Sequence, residues 1–248
     1  ISTKPIDFYL FSRLLHMRKY IALVPMLIIA PLADAQESNH SLKLTKTDDS
    51  APATSLFNGK DLSGWQIVGG NGKFKVEDNS IVGYGKNVQG NTFLRTKKTY
   101  QDFIFTCQFK FDDRKGNSGI MFRALQKPSK TGNGRVYGYQ CEADNTDRAW
   151  TTGLYDEARR GWLYPTKKKG SANQYKRDDF TKQGNRLIKW DNWNTITIRC
   201  EGNRIQTWLN GELRVDFTDK DPKSDTREGF FGLQVHHGNS CNVRWKDL

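Results

Sequence analysis

Apolar and polar residues alternate most clearly along Phe103-Ile104-Phe105-Thr106-Cys107-Gln108-Phe109-Lys110-Phe111, where every odd position is apolar or a thiol. Successive side chains of an extended chain point to opposite faces, so this period predicts a half-buried strand with its odd face in a core. Shorter segments predict strands at Phe74 to Glu77, Ser80 to Gly83, Ser118 to Ala124, Gly138 to Ala143, Trp193 to Glu201, Arg204 to Leu209, Glu212 to Asp216, Gly229 to His236 and Val243 to Lys246. Asp78-Asn79, Gly202-Asn203 and Asn210-Gly211 stand between them as tight-turn pairs. Beyond the amino-terminal region no stretch of a dozen residues keeps a helical period, and no repeat of fixed length occurs. The pattern predicts an all-β sandwich of one domain. Tyr155 to Asn185, rich in Arg, Lys, Trp and Tyr, is expected to be a long loop that shapes a site.

The amino-terminal region reads differently. Met17-Arg18-Lys19-Tyr20 is a basic start, Ile21 to Leu32 is almost wholly apolar, and Ala33-Asp34-Ala35 has the small-x-small pattern that signal peptidase reads. The apolar run falls short of the roughly 20 residues of a membrane span and holds Pro25 and Pro31, so a cleaved signal is expected at 17–35 and no membrane span. Residues 1–16 precede Met17 and are read as an upstream extension. Residues 36–54, polar and poor in apolar side chains, are expected to be a flexible tether, with the sandwich at 55–248. Cleavage near Ala35 would leave the product periplasmic or secreted.

Composition narrows the classes. Of 248 residues, 36% are hydrophobic and 12% aromatic, which is enough for a large core and excludes disorder throughout. The formal charge of +12 permits a polyanionic partner without naming one. Lys167-Lys168-Lys169 reads as a solvated loop run, and no nucleic-acid fold signature accompanies it. Gly69-Gly70-Asn71-Gly72 lacks the following helix of a phosphate cradle and reads as a turn. The four Cys lack zinc-site spacing, and Cys107 and Cys141 are expected as packed thiols within strands.

Candidate chemistry gathers on strand faces. In Gly138 to Asn145, Gln140, Glu142 and Asp144 share one face if the segment is extended, while Tyr139, Cys141 and Ala143 take the other. Inward Ile120 and Phe122 would send Met121 and Arg123 outward, and inward Leu233 and Val235 would send Gln234 and His236 outward. Several strands thus present Arg, His and carboxylates together, a set suited to acid–base work. Downstream, Trp150, Tyr155, Asp156, Glu157, Arg160 and Trp162 mix aromatic faces with charges, as a sugar site needs: rings cover the apolar side of a pyranose while polar groups fix its hydroxyls. Glu142 and Asp144 also offer oxygen ligands to a divalent metal ion, but their spacing fits too many roles to assign one. No other cofactor is expected.

The segments Leu56-Phe57-Asn58-Gly59-Lys60-Asp61-Leu62-Ser63-Gly64-Trp65, Asn117-Ser118-Gly119-Ile120-Met121-Phe122-Arg123, Gly138 through Trp162, Trp193-Asn194, Trp208-Leu209-Asn210-Gly211 and Gly232-Leu233-Gln234-Val235-His236 occur in this order. In these the chain resembles the 3-keto-disaccharide hydrolase domain family from Leu56 to Leu248. The resemblance implies a concanavalin-like jelly-roll sandwich with its site on the concave sheet. It also implies cleavage of glycosides already oxidised at C3, the ketone being made by a separate sugar 3-dehydrogenase. On that reading Glu142 or Asp144 is the base, Arg123 and His236 are oxyanion or hydroxyl donors, and Glu157 or Tyr155 stands near the leaving group. Gln140, Trp150, Tyr155, Asp156, Arg160, Trp162 and Gln234 are then substrate-binding. Two other classes stay open. One is an ordinary retaining glycosidase of laminarinase type, whose Glu-x-Asp-x-x-Glu motif has its nearest counterpart in Glu142, Asp144 and Asp147. The other is a sugar-binding module without turnover.

Overall fold

The computed structural model describes residues 53–114, 116–166, 171–238 and 242–248. The expected extension at 1–16, the signal at 17–35, nearly all of the tether and the Lys167-Lys168-Lys169 run lie outside the described residues. Among the described residues the elements are β1 (Trp65–Gly69), β2 (Lys73–Glu77), β3 (Ser80–Tyr84), β4 (Thr92–Thr96), β5 (Phe103–Phe111), β6 (Asn117–Gln126), β7 (Val136–Asp144), β8 (Leu154–Glu157), β9 (Gly161–Tyr164), α1 (Ser171–Leu187), β10 (Asn194–Glu201), β11 (Arg204–Leu209), β12 (Glu212–Thr218), β13 (Phe230–Val235) and β14 (Val243–Lys246). They build a jelly-roll sandwich of two antiparallel sheets. The front sheet runs β1-β4-β13-β6-β7-β8-β9 and the back sheet β12-β11-β10-β5-β14-β3-β2.

The alternation along β5 is realised: Phe105, Cys107, Phe109 and Phe111 are buried, and Ile104 faces out at 40% exposure. The core lies between the sheets, with Leu94, Ile120, Tyr139 and Leu233 of the front layer against Ile81, Phe109, Ile198 and Trp245 of the back layer. Cys107, Cys141 and Cys200 are free and buried there. Burial pushes their thiols up, so they pack as small apolar groups. The opening segment Leu56 to Trp65 closes the domain. The Leu56 amide donates to the Leu248 carbonyl at 2.8 Å, and the Trp65 indole donates to the Leu56 carbonyl at 2.8 Å.

The layout differs from the expected one between Tyr155 and Asn185, where strands β8 and β9 and helix α1 replace a long loop. Among its residues of described burial, α1 buries only Phe180 and Gly184, four apart, so no broad apolar stripe marks it in the sequence. β4 was also missed, because Thr92, Phe93, Leu94 and Thr96 are all buried and period 2 is absent. Its outer side belongs to a second apolar cluster of Val68, Phe93, Met121, Ala124, Val136 and Phe230.

Arg123 requires a correction. The β6–β7 register slips between Phe122 and Leu125, and Arg123 takes φ 43°, so the alternation that would carry it to the outer face breaks. Its fully buried guanidinium donates to the Gln101 carbonyl at 2.7 Å, the Gly202 carbonyl at 2.6 Å and Asp102 Oδ1 at 2.6 Å. It ties the β4–β5 connection to the β10–β11 turn.

Helix α1 docks through Gly184, where an added Cβ would lie 2.0 Å from the Ala149 carbonyl oxygen and 2.8 Å from Arg214 Nη2. Ala is the better helix former by about 1 kcal/mol. Overpacking against backbone costs about 1–3 kcal/mol, which outweighs that gain. Gly184→Ala is therefore expected to lower stability in urea unfolding, and a neutral or stabilised variant would show that α1 is not held at this contact.

Candidate active site

The outer face of the front sheet holds a cavity of about 780 Å³, with walls drawn from each of its seven strands or the loops at their ends. Gln140 and Glu142 of β7 form its polar floor with Asn117 of β6 and Gln234 of β13, and Phe93 and Val136 line its apolar side. Tyr155 and Glu157 of β8 and Trp162 of β9 make one wall; His236 and His237, just past β13, make part of another. Gly119 pairs with Glu142 across β6 and β7. A Cβ there would lie 2.6 Å from Gln140 Cγ and Cδ, so a bare backbone at 119 lets the Gln140 side chain lie flat.

Glu142 is 4% exposed, and among the described residues its carboxylate accepts three hydrogen bonds. Asn117 Nδ2 and Arg148 Nη2 donate to Oε1 at 2.6 and 3.0 Å, and Gln140 Nε2 donates to Oε2 at 3.1 Å. Burial pushes its pKa up to about 7, helped by the neighbouring Asp144 and opposed by Arg148 and the two amides. Asp144, also outward on β7, has a different part. Its oxygens accept from Arg148 Nε at 2.6 Å, the Trp150 amide at 3.0 Å, the Thr146 amide at 3.1 Å and the Thr146 hydroxyl at 2.7 Å. Four donors leave it no capacity as a base. It holds Arg148 across the face of Trp150 and Trp162, with the guanidinium 4.8 and 5.0 Å from the two ring centroids. The guanidinium bridges Glu142 and Asp144, filling the space between the two carboxylates that a divalent ion would need.

Asn91 links the two walls: its Nδ2 donates to Glu157 Oε1 at 3.3 Å, and its Oδ1 accepts from the His237 amide at 3.0 Å. Burial raises Glu157. It also raises Tyr155, with Glu157 and Glu142 adding to the effect. His236 Nδ1 lies 2.7 Å from the His237 carbonyl, which can only accept, so Nδ1 carries the proton. Burial lowers the His236 pKa, and the neutral ring then offers Nε2 as an acceptor for a hydroxyl rather than a donor to an oxyanion.

A family model matches residues 52–248 and describes the 3-keto-alpha-glucoside-1,2-lyase-like domain. The chain belongs to this family. No curated protein sequence matches it. Among solved structures it is similar to a candidate glycosyl hydrolase of Parabacteroides distasonis, with 22% identity, 79% of this chain and 93% of that one covered, and a TM-score of 0.47. It is also similar to the carbohydrate-binding module CBM66 of Bacillus subtilis, at 18% identity, 79% and 96% coverage and a TM-score of 0.49. By its family the lyase-like domain is of a carbohydrate-active kind.

The lyase-like domain brings Gln140, Glu142, Tyr155, Glu157, Trp162, Gln234 and His236 to one cavity and leaves other expected residues out of it. Arg123 is in the buried tie described above. Asp156 alternates inward on β8, fully buried, and its carboxylate accepts from Arg159 Nε at 2.6 Å and from Arg160 Nε. Arg160 also donates two bonds to Asp219, at 3.0 and 2.6 Å, and Tyr139 donates to that same carboxylate. Through Asp156, Arg160, Tyr139 and Asp219 this cluster ties β7 and β8 of the front sheet to the residue that follows β12 of the back sheet. Trp150 is a packing anchor, its indole donating to Thr181 Oγ1 of α1 at 2.9 Å, whereas Trp162 is the half-buried partner of an edge-to-face pair at 4.7 Å and lines the cavity. Arg148 and Asn117 are the residues missed. Arg148 had a local signal, a cation four residues after Asp144 and two before Trp150; Asn117 becomes visible only through its strand register.

Glu142 makes stability depend on pH with a definite sign. Its folded pKa stands above the ordinary carboxylate value, so between about pH 4.5 and 7 the folded state holds a proton that the unfolded chain has lost. Its contribution is complete at low pH and is lost as pH rises through about 7. Glu142→Gln lacks this proton. Wild-type stability minus that of the variant is expected to fall by up to about 3 kcal/mol between pH 4 and 8 in denaturant titrations; a difference that grows with pH would show that burial does not dominate.

Proposed function

We propose that this domain cleaves 3-keto-glycosides by elimination and hydration. A ketone at C3 acidifies the C2 proton. Glu142 takes that proton, and the electron pair left on C2 forms an enolate whose charge rests on the C3 oxygen. The enolate then collapses to a C1–C2 double bond as the C1–O bond breaks and the leaving oxygen takes a proton. Addition of water across that double bond completes a net hydrolysis. The observation that carries the reading is the buried Glu142 carboxylate facing the cavity, with the Arg148 cation on one oxygen and an amide chain on the other. A carboxyl poised near neutrality is matched to abstraction from a C–H acid. Arg148 takes the oxyanion role expected of Arg123, because it is the guanidinium beside Glu142 in the cavity. Glu157, raised by burial, serves as the acid for the leaving oxygen.

The laminarinase-type alternative has weaker support. Asp144 is saturated with donors, and Asp147 stands outside the cavity with its side chain 97% exposed against Arg114. The ketone itself is supplied by a separate sugar 3-dehydrogenase, so the cycle proposed here uses no nicotinamide.

Matched native and 3-keto glucosides test the proposal. The keto-sugar is expected to be cleaved and its parent to be inert, with kcat/KM falling below about pH 7 as Glu142 protonates. Glu142→Gln should reduce kcat by about 100-fold or more with little change in binding. Equal cleavage of both substrates would favour the ordinary glycosidase, and saturable binding without cleavage the module.

Export is part of the same proposal, on the strength of the basic start at Met17, the apolar run that follows and Ala33-Asp34-Ala35. Intact mass of the exported protein is expected to place its first residue near Gln36. Retention of Met17 to Ala35 in soluble exported material would count against it.

A further inference from the structure

The cavity floor contains a row of side-chain amides with a fixed direction. Gln234 Nε2 donates to Gln140 Oε1 at 2.9 Å, and Gln140 Nε2 donates to Glu142 Oε2 at 3.1 Å. An ionised carboxylate only accepts, so it dictates which end of Gln140 faces it, and Gln140 in turn dictates which end of Gln234 is left over. That end is Gln234 Oε1, a fully buried oxygen with no hydrogen-bond partner among the described residues, in a residue that lines the cavity. A buried acceptor without a donor is costly, and such an atom at a ligand cavity marks a bond that the ligand completes.

We propose that Gln234 reads a donor hydroxyl on the bound sugar through Oε1, and that the Gln234–Gln140 chain relays this contact to hold Glu142 in its ionised form. This rests on the base role of Glu142 given above. The chain has two directions. With Glu142 protonated on Oε2, Gln140 turns over to accept that proton, its amide nitrogen then faces Gln234 Oε1, and Gln234 Nε2 is what meets the sugar. A ketone or ether at that position can only accept and selects the reversed chain, which disarms the base. A hydroxyl satisfies the chain in its working direction. The same contact therefore discriminates between orientations of the keto-sugar: the oxidised carbon is kept away from Gln234 and a hydroxyl is placed against it. Gln234 is on this account a positioning residue for the base as well as a specificity determinant.

Three variants test it, Gln234→Glu, Gln234→Met and Gln140→Met, each checked for folding by circular dichroism. In the free protein, the Glu142 carboxyl is titrated by carbon NMR, its signal assigned by its loss in Glu142→Gln. Gln234→Glu places an acceptor at both ends of the chain, turns Gln140 round, and is expected to raise the Glu142 midpoint by about one pH unit; Gln140→Met, which removes the donor outright, should raise it too. With single-deoxy 3-keto-glucosides as substrates, one analogue is expected to lose about tenfold in kcat/KM with wild type and nothing further with Gln234→Met. A Glu142 titration unchanged in both Gln234→Glu and Gln140→Met overturns the relay. Equal losses for every deoxy analogue in wild type and Gln234→Met overturn the hydroxyl contact. The titration needs no substrate, so wild-type inertness toward all keto-sugars would defeat the proposed reaction while leaving the relay to be decided on its own.

Discussion

A carboxylate stripped of water is the constraint around which the front of this sandwich is arranged. Desolvating such a group costs several kcal/mol unless its lone pairs are met by donors. Asn117, Arg148 and Gln140 meet those of Glu142, and each is held by something else. Arg148 is fixed by Asp144 and by the two tryptophan faces. Asp144 is fixed by backbone amides of the loop it begins. That loop is gripped from the back sheet by buried Arg214, which donates to the Ala149 carbonyl at 3.0 Å and to the Phe180 carbonyl of α1 at 2.7 Å. Burial lowers the Arg214 pKa to about 9, a shift that reflects carbonyl partners in place of a carboxylate. The chain of support thus runs from the carboxylate through the loop to the far sheet and the helix. Burial still dominates at its centre, which is why the carboxyl sits near neutrality rather than in the usual acid range.

The arginines explain how a strongly basic chain comes to have a site with a mixed rather than a uniformly positive wall. Arg123, Arg160 and Arg214 are committed to internal ties, and Arg204 and Arg244 are paired with acids on the back sheet. Among the described residues these five arginines are spread through the framework and bonded locally rather than gathered at the cavity. In the cavity, Arg148 and the exposed Arg135 face Glu142 and Glu157. Opposite charges across an aromatic wall suit a neutral, hydroxyl-rich ligand better than a charged polymer.

What the sequence revealed, and what it hid, follows from burial on one face or two. β5 and β7 have one face in the core and one outside, so alternation announced their spans and the shared face of Gln140 and Glu142. β4 is buried on one face by the main core and on the other by the second apolar cluster, and α1 is held by Phe180 and Gly184, so neither carries a readable period. Alternation also located Arg123 wrongly, because one slipped register reverses the face of every later residue in a strand. Asp156 was misassigned for the opposite reason: β8 does alternate, and Tyr155 and Glu157 took the outer face. Glu142 and Asp144 are equivalent by spacing alone. Only the loop that folds back to give Asp144 the Trp150 and Thr146 amides tells them apart.

The pairing of raised carboxyls in one cavity bears on the kind of bond breaking it supports. A retaining glycosidase needs its two carboxyls in contrasting environments, one raised to give a proton and one kept ionised to attack carbon. Here burial drives both Glu142 and Glu157 upward, and Asp144, the better-solvated role in that scheme, is turned away to Arg148. Two raised carboxyls have a natural division of labour in elimination. On the proposed reaction the one poised near neutrality beside a cation would remove a proton from carbon, and the other, raised by burial, would give one to oxygen. Displacement at C1 would make no use of the proximity of Arg148 to Glu142, whereas the enolate of the proposed elimination would put new negative charge where that guanidinium can reach it.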